Sequence, residues 1–99
     1  MKARLRIDQE GLAAFCRRNH IRRLSLFGSV LRDDFGPASE VDVLVEFEPG
    51  QEPGLLRLAA MERELSGLFG RQADLRTAED LSPYFRDQVV SAAELHYAA

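Results

Sequence analysis

Two stretches of the chain, residues 21–27 and residues 41–47, contain alternating apolar and polar residues, with Leu24 and Leu26 set against Arg23 and Ser25 in the first. Because successive side chains of a strand point to opposite faces, this period of two predicts two β-strands, each with an apolar face. The second stretch has one wholly apolar face, whereas its other face, with the preceding residue, carries Glu40, Asp42, Leu44 and Glu46. We therefore expect one side of a sheet to pack on helices and the other to carry chemistry at one end.

Helical spacing predicts two helices in the first 70 residues. Asp8 is a suitable N-cap for the first, which should end near His20. Gly70 stands where a glycine often ends a helix, directly after a longer apolar stripe. The residues of that stripe are Leu55, Leu58, Met61, Leu65, Leu68 and Phe69. Between the two strands, we expect only a short helix from Ser29 to about Asp33, followed by a turn that includes Asp34.

The C-terminal part of the chain also has helical spacing. Ser82 is a good cap with proline in the next position, so we predict a last helix over residues 83–95. Its buried stripe would consist of Phe85, Val89 and Ala92. His96 and Tyr97, near the C-terminus, are expected on the surface.

Length and composition restrict the classes of protein. Ninety-nine residues give room for one domain, residues 1–99, without a separate substrate-binding domain. No apolar run approaches the ~18 residues of a membrane span, and the N-terminus lacks a signal-peptide core, so we expect a cytoplasmic protein with no membrane partner. The net charge of −3 makes nucleic acid an unlikely partner. Cys16 is the only cysteine, which excludes an internal disulfide and a cysteine-based zinc site.

Candidate chemistry lies between the two strands and at the start of the second. Glu40 and Asp42 are two residues apart, so their carboxylates can point the same way and converge on one divalent cation or two. Mg²⁺ prefers such oxygen ligands and leaves positions for substrate phosphates. Gly28 and Ser29 can supply the phosphate site, because glycine at a strand end allows close backbone approach and a helix start offers free N–H groups.

A third carboxylate follows in a short predicted strand over residues 72–76. Ala73 and Leu75 face one way and Asp74 the other, so Asp74 can join the first two carboxylates. A solvated strand end and an ordinary strand-to-helix turn are the alternative interpretations of the same residues. The combined spacing makes a chance origin less likely than it would be for any one feature.

These residues resemble a known signature. Gly28-Ser29, ten residues and then Glu40-Val41-Asp42 is similar to the Gly-Ser-x10-Asp-x-Asp signature of the polymerase-β-like nucleotidyltransferases. The short length and Arg32 place the chain nearest the minimal nucleotidyltransferase group, often paired with HEPN-domain toxins. The segment Gly70 to Leu75 resembles the family's later strand, whose Asp is the third carboxylate. Glu40 departs from the pattern, since the family usually has Asp there.

The resemblance implies an α/β nucleotidyltransferase-like fold, a small mixed sheet with helices packed on one face. It implies catalytic and metal-binding roles for Glu40, Asp42 and Asp74, and nucleotide-binding roles for Gly28, Ser29 and Arg32. Two Mg²⁺ ions, or Mn²⁺, would act with ATP as substrate, and AMP would pass to a hydroxyl of a partner protein, a helical HEPN-type toxin. Two alternatives stay open: a catalytically weak antitoxin that acts by binding, and a nucleic-acid module. Base preference and self-association as a homo-oligomer also stay open.

Overall fold

The computed structural model describes residues 5–32 and 35–99. In chain order the elements are α1 (Gln9–Arg18), β1 (Ile21–Phe27), a 3-10 helix (Gly28–Leu31), β2 (Val41–Phe47), α2 (Leu55–Phe69), β3 (Ala73–Arg76), a second 3-10 helix (Ala78–Asp80), α3 (Arg86–Ala92) and β4 (Glu94–Ala98). The predicted short helix after Ser29 is thus a 3-10 helix. Asp33 and Asp34, at its expected end and in the expected turn, lie outside the described residues.

The strands form one mixed four-stranded sheet in the order β3-β2-β1-β4. β1 is antiparallel to β2 and to β4, whereas β2 and β3 are parallel. The register places Phe27 opposite Asp42 and Asp42 opposite Asp74. Since directly paired residues point to the same face, these side chains share one face at one end of the sheet.

The hydrophobic core lies between the other face of the sheet and the helices α1 and α2. Leu24, Leu26 and Val43 are fully buried there, together with Phe15 of α1 and Leu65 of α2. The alternation predicted for β1 and β2 is therefore confirmed, and so is the α/β fold with a small mixed sheet.

Local interactions of the kind predicted fix the start of α1 and the end of α2. The Asp8 carboxylate accepts a hydrogen bond from the Gly11 backbone N–H at 3.2 Å, which caps α1. Gly70 ends α2 at φ 67°, in the left-handed region that glycine adopts freely. One part of the predicted stripe is wrong: Leu55, the first residue of α2, is 86% exposed. The stripe packs on the core only from Leu58 onward.

The C-terminal prediction of one helix over residues 83–95 is wrong. α3 is short, begins at Arg86 without a side-chain cap from Ser82, and buries none of its residues. Its predicted anchor Phe85 is 59% exposed. The helix start is instead held by the Arg86 guanidinium, which donates to the backbone carbonyls of Ala78 at 2.7 Å and Leu81 at 3.1 Å.

The residues after α3 form a strand because β1 offers a free edge. Backbone N–H and C=O groups along that edge need partners, and β4 supplies them by antiparallel pairing. The expectation that His96 and Tyr97 lie loosely on the surface is therefore also wrong. Tyr97 packs against the core, and the His96 ring lies 2.7 Å from the Glu94 carboxylate. None of the helices in the described part of the chain is long and apolar enough to cross a bilayer.

Candidate active site

The turn after β1 is pressed against the first residues of β2. Gly28 has φ +77°, and a Cβ atom at this position would lie 2.2 Å from Oδ2 of Asp42. The backbone conformation therefore requires glycine, and any side chain here would also force the Asp42 carboxylate to move. The predicted phosphate-binding turn and the predicted metal-binding carboxylate are thus in direct contact.

The next residues fasten this turn to the segment that enters β2. The Ser29 hydroxyl donates to the backbone carbonyl of Glu40 at 3.5 Å. Val30 and Leu31 are buried in the core and anchor the 3-10 helix. Arg32 follows at the exposed surface. The structure thus brings the Gly-Ser pair and the start of β2 together, as the spacing predicted.

The carboxylates interact electrostatically across the sheet. Burial raises the pKa of the Asp42 carboxyl above its ordinary value, and the charges of Asp74 and Glu40 raise it further. The guanidinium groups of Arg76 and Arg32 lower the same pKa. Asp42 therefore lies within the electrostatic reach of two carboxylates and two cations. Arg32, predicted to lie near the phosphates, is one of those cations.

The donor chemistry fits a divalent cation, although no closed cage is formed. Among residues 5–32 and 35–99, no group of three or more Asp, Glu, His or Cys side chains is arranged to hold a metal ion. Mg²⁺, however, often binds through one or two carboxylates and completes its shell with water and substrate phosphates. Asp42 and Asp74, in register on adjacent strands, can supply two such groups. Glu40, exposed and one residue before β2, stays a predicted third ligand.

Asp74 already has a cationic neighbour. The Arg76 guanidinium donates to its Oδ2 through Nε at 3.3 Å and through Nη2 at 3.2 Å. Both side chains are partly exposed, so solvent screens this ion pair. Arg76 was not predicted as a site residue. Its position two residues after Asp74 on the same strand was the available signal, because such residues share a face.

Two polar residues of α2 position β3, and neither was predicted from the sequence. The Ser66 hydroxyl accepts from the Ala73 backbone N–H at 2.9 Å, and the Glu62 carboxylate accepts from the Leu75 N–H at 2.8 Å. These two N–H groups flank Asp74 on the side of β3 that has no neighbouring strand. Side chains of α2 thus accept the hydrogen bonds that a further strand would accept at this edge, and they fix the backbone that carries Asp74.

Comparison with known proteins agrees with this geometry. Residues 9–96 match the family model described as a nucleotidyltransferase domain. The chain belongs to the nucleotidyltransferase domain family. It is 33% identical over 73 residues to a protein of Methanocaldococcus jannaschii provisionally named protein adenylyltransferase MJ0435, covering 74% of this chain and 76% of that protein.

Two solved structures have the same fold. One, provisionally named a minimal nucleotidyltransferase, is 35% identical with a TM-score of 0.70, and the match covers 86% of this chain and 85% of that one. The other is described as a toxin-antitoxin with AMP-PNP. It has a TM-score of 0.74 at 17% identity and covers 94% of this nucleotidyltransferase and 75% of that chain. The predicted family and fold class are confirmed, and the roles of individual site residues stay predictions.

Proposed function

We propose that this nucleotidyltransferase transfers AMP from ATP to a hydroxyl group of a partner protein, as the antitoxin of a toxin–antitoxin pair. The observation that carries the proposal is the placement of Asp42, in register with Asp74 and in contact with Gly28. This arrangement joins a phosphate-binding turn to a pair of carboxylates, the two parts that nucleotidyl transfer requires. The named adenylyltransferase relative and the toxin–antitoxin neighbour support this acceptor class. The partner would be a helical HEPN-type toxin in the cytoplasm.

Each residue has a defined task in this proposal. Backbone N–H groups at Gly28 and Ser29 bind the β and γ phosphates, and Arg32 contributes positive charge beside them. Asp42 and Asp74 would hold the Mg²⁺ ions, with Glu40 as the predicted third ligand. When bound, these ions supply Lewis-acid chemistry that lowers the pKa of the acceptor hydroxyl and balances the charge of the leaving pyrophosphate.

The transfer is a single displacement at the α-phosphorus. The acceptor oxygen forms a bond to phosphorus, and the bond to the oxygen that bridges the α and β phosphates breaks. Pyrophosphate leaves with the bonding electron pair, and the hydroxyl proton passes to water. The chain positions the reactants for this step, which is where much of the rate of such reactions originates.

The second candidate function is an antitoxin with weak catalysis that acts by binding its toxin. Glu40 favours it, because its side chain is one methylene longer than the aspartate usual at this position. Active-site groups need placement within roughly 0.5 Å, so a longer side chain on unchanged backbone would hold a metal ion poorly.

Calorimetry with ATP tests the proposal. We expect measurable binding with Mg²⁺ or Mn²⁺ and none without a divalent cation. Asp42→Asn should abolish this binding because it removes a negative charge from the metal site. Asp87→Asn, at an exposed position of α3, is the matched control and should bind ATP as the unchanged protein does. Equal binding by Asp42→Asn would contradict the proposed site.

Intact mass after incubation with ATP, Mg²⁺ and a co-purified toxin separates the two candidates. An added AMP on the toxin supports transfer. A stable complex without added AMP supports the binding antitoxin instead.

A further inference from the structure

A cavity opens on the same face of the sheet as the carboxylates. Its volume is about 280 Å³, and it lies between the sheet, the segment after β3 and the helix α3. Its walls include Ser25, Leu44, Thr77, Val90 and Leu95. Val90 and Leu95 are each 47% exposed, so the cavity is open to a large partner.

The cavity begins two residues along the strands from the candidate active site. Ser25 pairs with Leu44, and Phe27 pairs with Asp42. Two residues of strand correspond to roughly 6–7 Å. A group bound in the cavity can therefore reach a phosphorus atom held above Asp42.

The direction of attack identifies what the cavity holds. In phosphoryl and nucleotidyl displacements, the attacking and leaving oxygens are roughly in line. The turn at Gly28 and Ser29, which would hold the leaving pyrophosphate, lies beyond the end of β1. The nucleophile must then approach from the opposite side of the α-phosphorus, which is the direction of Ser25 and Leu44 along the strands. We propose that the cavity is the acceptor site, an inference that rests on the function proposed above.

The cavity lining indicates the chemical class of the acceptor. Among the residues that the structure describes, the cavity is lined by three carboxylates, Glu46, Glu52 and Glu79, and by one cation, Arg23. Glu46 is paired with Arg22 at 3.5 Å. Glu52 and Glu79 form no ion pair with any residue in the described ranges. This excess of negative charge repels the phosphates of a nucleic acid and favours cationic side chains.

The size and polarity of the cavity restrict the chemical class of the acceptor further. A cavity of about 280 Å³ is at the small end of ligand sites, so it accommodates one or two side chains and not a folded element. Leu44, Val90 and Leu95 supply apolar walls. The acceptor is therefore a polypeptide segment in which a hydroxyl-bearing residue is flanked by apolar and cationic residues.

Labelled peptides test this assignment. Three short peptides share a central serine between leucines and carry arginine, glutamine or glutamate at the flanks. Fluorescence anisotropy in the presence of Mg²⁺ and ATP should show the arginine peptide binding about fivefold more tightly than the glutamate peptide, since exposed charge pairs have modest effects. The double variant Glu52→Lys/Glu79→Lys should reverse this order.

A matched control and a second variant exclude a general effect of charge or folding. Glu10→Lys makes one such substitution on α1, which packs on the opposite face, and should keep the preference for arginine. Val90→Trp fills the mouth of the cavity at an exposed position and should abolish binding of all three peptides. The chain has no tryptophan, so emission from the new residue shows whether its side chain lies against the cavity walls or in water.

Each outcome decides the assignment. Absence of peptide binding, equal affinity for the three peptides, or an unchanged order in the double variant would overturn it. The calorimetric test with ATP alone is independent of the cavity. ATP binding without peptide selectivity thus rejects the acceptor site and leaves the nucleotidyl-transfer site standing.

Discussion

The two faces of the sheet are built from alternate residues of the same strands, yet they do different work. Leu24 and Val43 are fully buried under α1 and α2, whereas their neighbours Ser25, Asp42 and Leu44 are only half-buried on the other face. Residues that stabilise the fold and residues of the candidate site are therefore adjacent in sequence along each strand. Substitutions on one face should change the free energy of unfolding, and those on the other should change the reaction.

The largest expected effect is on the core face. Phe15 of α1 is fully buried, so Phe15→Ala should lower the free energy of unfolding by about 3–5 kcal/mol. Urea denaturation measures this loss. Leu56→Ala, at a residue that is 90% exposed, is the control and should change stability by no more than about 0.5 kcal/mol. A small loss at Phe15 would mean that the core is not packed on α1 as described.

The next effect links the two faces through α2. Glu62→Leu leaves the Leu75 N–H without its acceptor and should cost about 1–3 kcal/mol of stability. It should also reduce AMP transfer, because the backbone next to Asp74 is released. Glu62→Gln retains an acceptor oxygen and should restore most of both properties. Equal losses in both variants would show that the charge of Glu62, and not its hydrogen bond, is what matters.

A smaller change is expected at Glu40 on the open face. Glu40→Asp shortens the side chain to the length usual in the family, and we expect transfer to rise by about tenfold, or roughly 1.4 kcal/mol of barrier. Stability should hardly change because Glu40 is exposed. Single-turnover kinetics with ATP and the toxin partner measures the effect. A lower rate would show that the site is built around glutamate.

The effect that is smallest near neutral pH concerns the buried thiol of α1. Burial raises the pKa of Cys16 to about 12, and the charge of Arg17 opposes this shift. In the unfolded chain a cysteine ionises near pH 8.5, so above that pH the unfolded state loses a proton that the folded state keeps. The free energy of unfolding should therefore fall as pH rises from about 8.5 towards 12. Below pH 8, Cys16 should cause no change of stability with pH. Denaturation at several pH values tests this, and Cys16→Ala should remove this part of the decline.

The local pattern of apolar and polar residues was sufficient to predict the elements whose bounds follow from their own sequence. β1 and β2 have the predicted bounds, and the apolar residues Leu24 and Leu26 of β1 and every second residue of β2 are buried. The end of α2 was predictable because Gly70 can adopt a left-handed conformation. The contact between Gly28 and Asp42 also followed from the sequence, since a loop that joins two antiparallel strands connects them at the same end of the sheet.

The rest depended on partners that are distant in the chain. β4 exists because the edge of β1 is free, and no local pattern in residues 94–98 reveals that edge. Glu62 and Ser66 resembled solvent-facing residues of a helix. They lie one residue after Met61 and Leu65, at the border of the buried stripe, and this border position was the only local signal of their role.

The contact between Gly28 and Asp42 has a consequence for how sequences of this kind can vary. Any larger residue at position 28 would collide with the carboxylate, so its effect depends on what occupies position 42. A smaller residue at position 42 would relieve the collision, but it would relieve neither the strain of a side chain at φ +77° nor the loss of the Asp42 carboxylate. Active sequences from a library that randomises both positions should therefore keep glycine at 28 and aspartate at 42.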